Sequence, residues 1–82
     1  MGRYYFDIDD GRTRERDPDG QCLPSLWAAR NTAVHELALI VRDELPDGDR
    51  ATYVVVVRDE ARVPVIVATA SILCEVLDPD AT

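Results

Sequence analysis

The chain has 82 residues, 46% of them hydrophobic, and a formal net charge of −7. That length makes a single domain, 1–82, with a modest core near the lower limit of independent stability. The acidic balance speaks against a protein that grips phosphate backbones or anionic membranes, both of which select for cationic contacts.

Charges begin at Arg3 and no early apolar run follows, so nothing resembles a secretion signal. The longest weakly polar run, Val63 to Cys74, contains Pro64, Thr69 and Ser71 and is too short to cross a bilayer. A cytoplasmic protein is the expectation. Its two cysteines, Cys22 and Cys74, then stay reduced, and they form no ligand spacing for a metal. All the fixed positive charge is arginine, a composition bias without functional weight.

Arg3 to Ile8 predicts a strand, with Tyr4, Phe6 and Ile8 alternating against Arg3, Tyr5 and Asp7. Asp9-Asp10-Gly11 is a turn, after which Arg12 to Arg16 pairs back as a polar edge strand or remains a loop. Asp17-Pro18-Asp19-Gly20 is a second turn, and Gln21 to Pro24 leads into a helix over Ser25–Leu45. At 100° per residue, Leu26, Ala29, Ala33, Val34, Leu37, Ile40 and Val41 share one side of that helix. Asn31, Thr32, His35, Arg42 and Asp43 take the other. Ser25 is a suitable N-cap. Pro46 ends the helix, and Asp47-Gly48 completes the exit turn.

Arg50 to Asp59 has the β-branched run of a short strand. Val63 to Leu77 alternates, with Ile66, Ala68, Ala70, Ile72, Cys74 and Val76 on one phase and Val65, Val67, Thr69, Ser71, Leu73 and Glu75 on the other. Asp59 to Arg62 joins the two as a hairpin, and 78–82 reads as a frayed tail. The fold class is α+β: a small antiparallel or mixed sheet of three or four strands with one helix on one face, ordered ββαββ, or βαββ without the charged strand. The helix is expected to cover the phase of Tyr4, Phe6, Ile8 and Ile66 to Val76, with Cys74 acting as a small core hydrophobe.

One helix covers one face, yet Val54 to Val57 is apolar on both phases, and Tyr5, Val65, Val67 and Leu73 fall on the uncovered one. A one-sided sheet facing water carries polar residues there. Burial at about 25 cal/mol per Å² would be worth several kcal/mol. Tyr5, Val55, Val65 and Val67 are therefore candidate interaction residues, for self-association through the open face or a strand edge. The plainer alternative is that sheet twist and tails cover the patch.

The acidic motifs favour structural roles. FDIDDG, Phe6 to Gly11, imitates a D-x-D phosphatase signature, but that chemistry needs a magnesium ion and a parallel sheet with crossover helices that 82 residues do not supply. A hairpin turn accounts for it better. Glu15, Asp17, Asp19 and Gly20 match the first half of a calcium loop, yet its twelfth position is Leu26. His35 stands alone on the polar helix side, with no nucleophile to serve. Arg30 lies within the apolar stripe. Either it snorkels to the edge or it finds an acidic partner in Asp7 or Asp9 of the first strand or in the Asp17/Asp19 turn, with Arg30 and Asp7 as the candidate structural ion pair. Trp27 borders the stripe and fits the core rim. No catalytic, cofactor-binding or metal residue is assigned, and no cofactor is implied.

The aromatic first strand (Tyr4, Phe6), the D-x-x-G turn (Asp17, Gly20) before a leucine-proline helix start (Leu23, Pro24), Ala28-Ala29-Arg30 on that helix and the hairpin residues Asp59, Glu60, Pro64 and Val65 form a pattern. From Arg3 to Val76 it resembles a family of short bacterial domain-of-unknown-function proteins common in rhizobia and related alphaproteobacteria. The chain departs at Arg62, where the family usually has Gly, and at Trp27, where a charged residue is commoner. A non-glycine residue at positive φ there would cost about 1 kcal/mol. The resemblance implies the fold above, makes Arg30 part of a shared design, and attaches no activity.

The functional expectation is a non-catalytic interaction or regulatory module whose partner is protein, either a second copy or another chain. Neither nucleic acid, membrane nor a small-molecule substrate is implied. The alternative is an antitoxin-like or inhibitor protein that sets its acidic surface against a basic partner.

Overall fold

A computed structural model describes residues 2–43, 50–78 and 80. The element order is β1 (Gly2–Asp9), β2 (Arg14–Glu15), β3 (Gln21–Leu23), α1 (Leu26–Asp43), β4 (Arg50–Arg58) and β5 (Pro64–Leu73). All strand pairs are antiparallel, in the order β2-β1-β4-β5, with β3 also on β1. β2 pairs with Ile8 and Asp9 and β3 with Gly2 to Tyr4, so two short strands sit at opposite ends of β1.

The gap between them is closed by a side chain. The Phe6 amide donates to Asp17 Oδ2 at 3.1 Å, and the Asp17 amide donates back to Asp7 Oδ1 at 3.0 Å. Asp17 Oδ1 also accepts from the amides of Asp19 and Gly20, an Asx turn that folds the loop against β1. Gly20 has φ of +70°, and a Cβ there would stand 2.8 Å from the Tyr4 carbonyl oxygen. Both facts demand glycine.

Ser25 caps α1, its Oγ accepting from the Ala28 amide at 3.1 Å. Ala29, Ala33 and Leu37 face the sheet and pack with Phe6 of β1 and Tyr53, Val55 and Val57 of β4 in one core. The two alanines are fully buried and let the helix approach the strands closely. The helix-facing residues of β5, namely Ile66, Ala68, Ala70 and Ile72, remain half-buried.

Several expectations need correcting. Gln21–Leu23 is a strand, not a mere lead into the helix, and only Arg14–Glu15 of the Arg12–Arg16 segment pairs. Trp27 is 74% exposed, not core rim, because it stands about 120° around the helix from Ala33. Leu26 and Val34, at the end and flank of the apolar stripe, are also exposed. β5 ends at Leu73, so Cys74 lies past the covered strand and is exposed rather than in the core. The expected helix end at Leu45–Pro46 and the turn at Asp47-Gly48 lie outside the described residues, as do positions 79, 81 and 82 of the tail.

The β4–β5 hairpin turns where the sequence places it. Asp59 accepts from the Arg62 amide through its carbonyl, and its Oδ1 accepts from the amides of Ala61 and Val63. Arg62 takes φ of +67°, and the register shifts between Val57 and Arg58. A turn followed by a left-handed residue and a bulge gives that geometry. The Arg62 guanidinium lies 4.1 Å from the centroid of the Tyr5 ring, a cation–π contact that offsets part of the backbone cost.

Candidate functional site

The sheet face turned away from α1 is the surface with unusual chemistry. Period-two alternation puts Tyr5 and Asp7 of β1 there, beside Val54, Val56 and Arg58 of β4 and Val65, Val67, Thr69, Ser71 and Leu73 of β5. It divides into a charged half over β1 and an apolar half over β5.

The charged half is organised by Arg58. Its Nε donates to Asp7 Oδ2 at 2.6 Å and its Nη2 to Asp7 Oδ1 at 3.0 Å, a bidentate pair between two buried residues. Nη2 also reaches the Asp17 carbonyl at 3.4 Å, and the guanidinium carbon lies 5.1 Å from the Tyr5 centroid. Tyr5 is thus held between Arg58 and Arg62. Nη1 is buried without a hydrogen-bond partner among the described residues.

Hydrogen bonding from Arg58 holds the Asp7 carboxyl below its ordinary range, against the upward push of burial, with the Asp17 amide and Arg16 adding to the effect. The same hydrogen bond raises Arg58. Burial pushes Asp17 up, but the amides of Gly20, Phe6 and Asp19 together outweigh it, and the net direction is down. A shallow recess of about 160 Å³ lies beside the pair, between Asp9, Arg14, Arg16 and Pro64. Asp9 and Arg14 approach within 3.7 Å across β1 and β2.

The apolar half is bare. Val65 is 39%, Val67 65% and Leu73 62% exposed. Thr52 and Ser71 share a hydrogen bond across β4 and β5 at its far end.

The predicted residues divide accordingly. Val65 and Val67 stand on the open face as expected. Tyr5 shares that face but is only 8% exposed, because Arg58, Arg62 and the Gly20 turn enclose it. Val55 points the other way and is fully buried under the helix, while Val54 and Val56 take the outward phase. The pairing of Arg30 with Asp7 does not form. Arg30 is exposed and donates to Asn31 Oδ1 at 3.2 Å, whereas Asp7 lies on the face opposite α1, beyond the reach of any helix residue. Arg58 is the partner that sequence reasoning missed. Its signal was present: it shares the outward phase of Val54 and Val56, next to the strand that carries Asp7.

The turns with catalytic or calcium-like patterns are engaged in the fold. Asp7 serves Arg58, Asp10 Oδ1 accepts from the amides of Arg12 and Thr13, and Asp17 faces inward to backbone amides. Among the described residues no group of three or more His, Cys, Asp or Glu side chains is placed to hold a metal ion, and no helix is long and apolar enough to cross a membrane.

The family model of the Domain of unknown function (DUF6894) matches residues 3–71. The chain belongs to this family. The DUF6894 match runs from β1 through most of β5, taking in the Asp17–Gly20 turn, the Asp7–Arg58 pair and the hairpin. No curated protein and no solved structure shows significant similarity to the chain.

Proposed function

We propose that this DUF6894 protein is a small, non-catalytic, cytoplasmic interaction module that associates with itself. The observation that carries this reading is the apolar half of the open sheet face, where Val65, Val67 and Leu73 are exposed together along one strand. Leaving three large aliphatic side chains in water along an element of a one-helix domain forfeits burial that association restores. The non-catalytic part rests on engagement: Asp7, Asp10 and Asp17 spend their oxygens on Arg58 and on backbone amides, and the single histidine, His35, is exposed on the helix.

Sedimentation velocity across the micromolar range tests the reading. A concentration-dependent shift toward twice the 9.1 kDa chain mass is expected. A single monomeric boundary at the highest concentration overturns it.

A further inference from the structure

We infer that two copies of this chain join edge to edge through β5, antiparallel and with Thr69 on the twofold axis, to make one continuous sheet with both helices on the same face. This specifies the contact left open by the self-association reading above and rests on it: across the shared edge Val65 of each copy packs sideways against Leu73 of the other, while the broad face beyond them stays open.

Three observations converge on that edge. First, beyond the proline at its start, Pro64, the strand is unprotected. Pro64–Leu73 carries no charged residue in a chain of net charge −7, although natural sheets blunt free edges with charge, bulges or very short strands. The opposite border has that protection, being broken into the two residues of β2 and the three of β3, with Arg14 and Glu15 between solvent and β1. An uncharged strand excludes a strongly charged partner segment and lets two acidic copies meet along a neutral line.

Second, the strand is self-complementary. Read outward from Thr69, Ala68 mirrors Ala70, Ile66 mirrors Ile72, and Val65 mirrors Leu73, with only Val67 against Ser71 unlike. In an antiparallel pair centred on Thr69 these residues stand opposite one another, small against small and large against large. Twofold contacts require such a surface, since each residue must fit the same patch it belongs to.

Third, the core is unfinished at this border. Tyr53, Val55 and Val57 of β4 are buried, but Ile66, Ala68, Ala70 and Ile72 of β5 are only half-buried under the same helix. A second β5 alongside extends the Ile-Ala-Ala-Ile row and closes it from the other side. β4, β5 and their two mates then span about 14 Å at the usual strand spacing. That leaves each helix over its own strands, side by side with the other.

The test is cysteine pairing in a Cys22→Ser, Cys74→Ser background, both native thiols being exposed. Thr69→Cys, at an exposed position, places two thiols on the axis and should yield a covalent dimer in oxidised glutathione. A mixture of Val67→Cys and Ser71→Cys chains should cross-link faster than either chain alone, because each faces the other in this register. Thr69→Arg sets two guanidiniums against each other and should weaken the dimer at least tenfold in sedimentation, with an unchanged circular dichroism spectrum. If sedimentation shows a dimer but Thr69→Cys stays uncoupled, or all cysteine positions link alike, the β5 contact is wrong and self-association stands. A monomer in every condition overturns both.

Discussion

Arg58 on β4 holds both carboxylate oxygens of Asp7 on β1, on the sheet face that the helix leaves uncovered. Fifty-one positions apart in sequence, the two close the central strand pair with a charge that water scarcely reaches. The Asp17 loop is fastened to the same point, through its amide to Asp7 and its carbonyl to Arg58.

Removing one member strands the other as a buried charge, which costs far more than losing the pair together. Arg58→Ala should lower the melting temperature by about 15 °C or more in a domain of this size. The double variant Asp7→Leu, Arg58→Met should recover much of that loss. Thermal unfolding of the three proteins by circular dichroism measures it. A double variant as unstable as the single one would show that the charge itself is what the fold needs.

Acid should unfold the protein through Asp7 and Asp17. Both carboxyls lie below their ordinary 3.8 when folded, so the unfolded chain binds protons first as pH falls. Their contribution is complete above the unfolded value and is lost as pH drops through the folded values. Urea midpoints should be level from neutrality to about pH 5 and fall steadily below pH 4. Asp7→Asn should be less stable at neutral pH and lose less on acidification.

Two glycines with positive φ should respond unequally to alanine. At Gly20 a Cβ meets the Tyr4 carbonyl at 2.8 Å and two side chains at 3.1 Å, whereas at Gly11 its nearest neighbour is the Thr52 carbonyl oxygen at 3.9 Å. Gly11→Ala pays the backbone term alone, about 1 kcal/mol. Gly20→Ala adds displacement of the loop that carries Asp17 and should cost about 2 kcal/mol or more. Equal losses in chemical denaturation would contradict the close approach.

Local signals in the chain carried most of the architecture. Ser25 and the Ala29–Ala33–Leu37 spacing marked the helix, the alternation of Tyr4, Phe6 and Ile8 marked the covered face of β1, and Asp59 to Arg62 marked the hairpin. What escaped was non-local. Gln21–Leu23 has no alternation of its own and becomes a strand only because Gly2 to Tyr4 offers it an edge. Arg30 has a helical angle within the apolar stripe, yet only Ala29, Ala33 and Leu37 of that stripe are buried on the sheet, and just beyond them a long side chain turns outward. Its supposed partner belonged to the other face, as the strand phase already implied. Tyr5 lies on the expected strand phase but is enclosed instead of open to a partner, because the two arginines that shelter it come from the far hairpin.

The stopgap role of the Asp17 carboxylate, midway between β2 and β3, bears on what the molecule can build. A sheet that grows sideways without limit needs two usable rims, as in fibrils. Here one rim is plugged by a looped-back stretch of the chain and the other is plain. Such a body can find one mate along its plain rim and then has no second rim to offer, so its sheet is finite by construction.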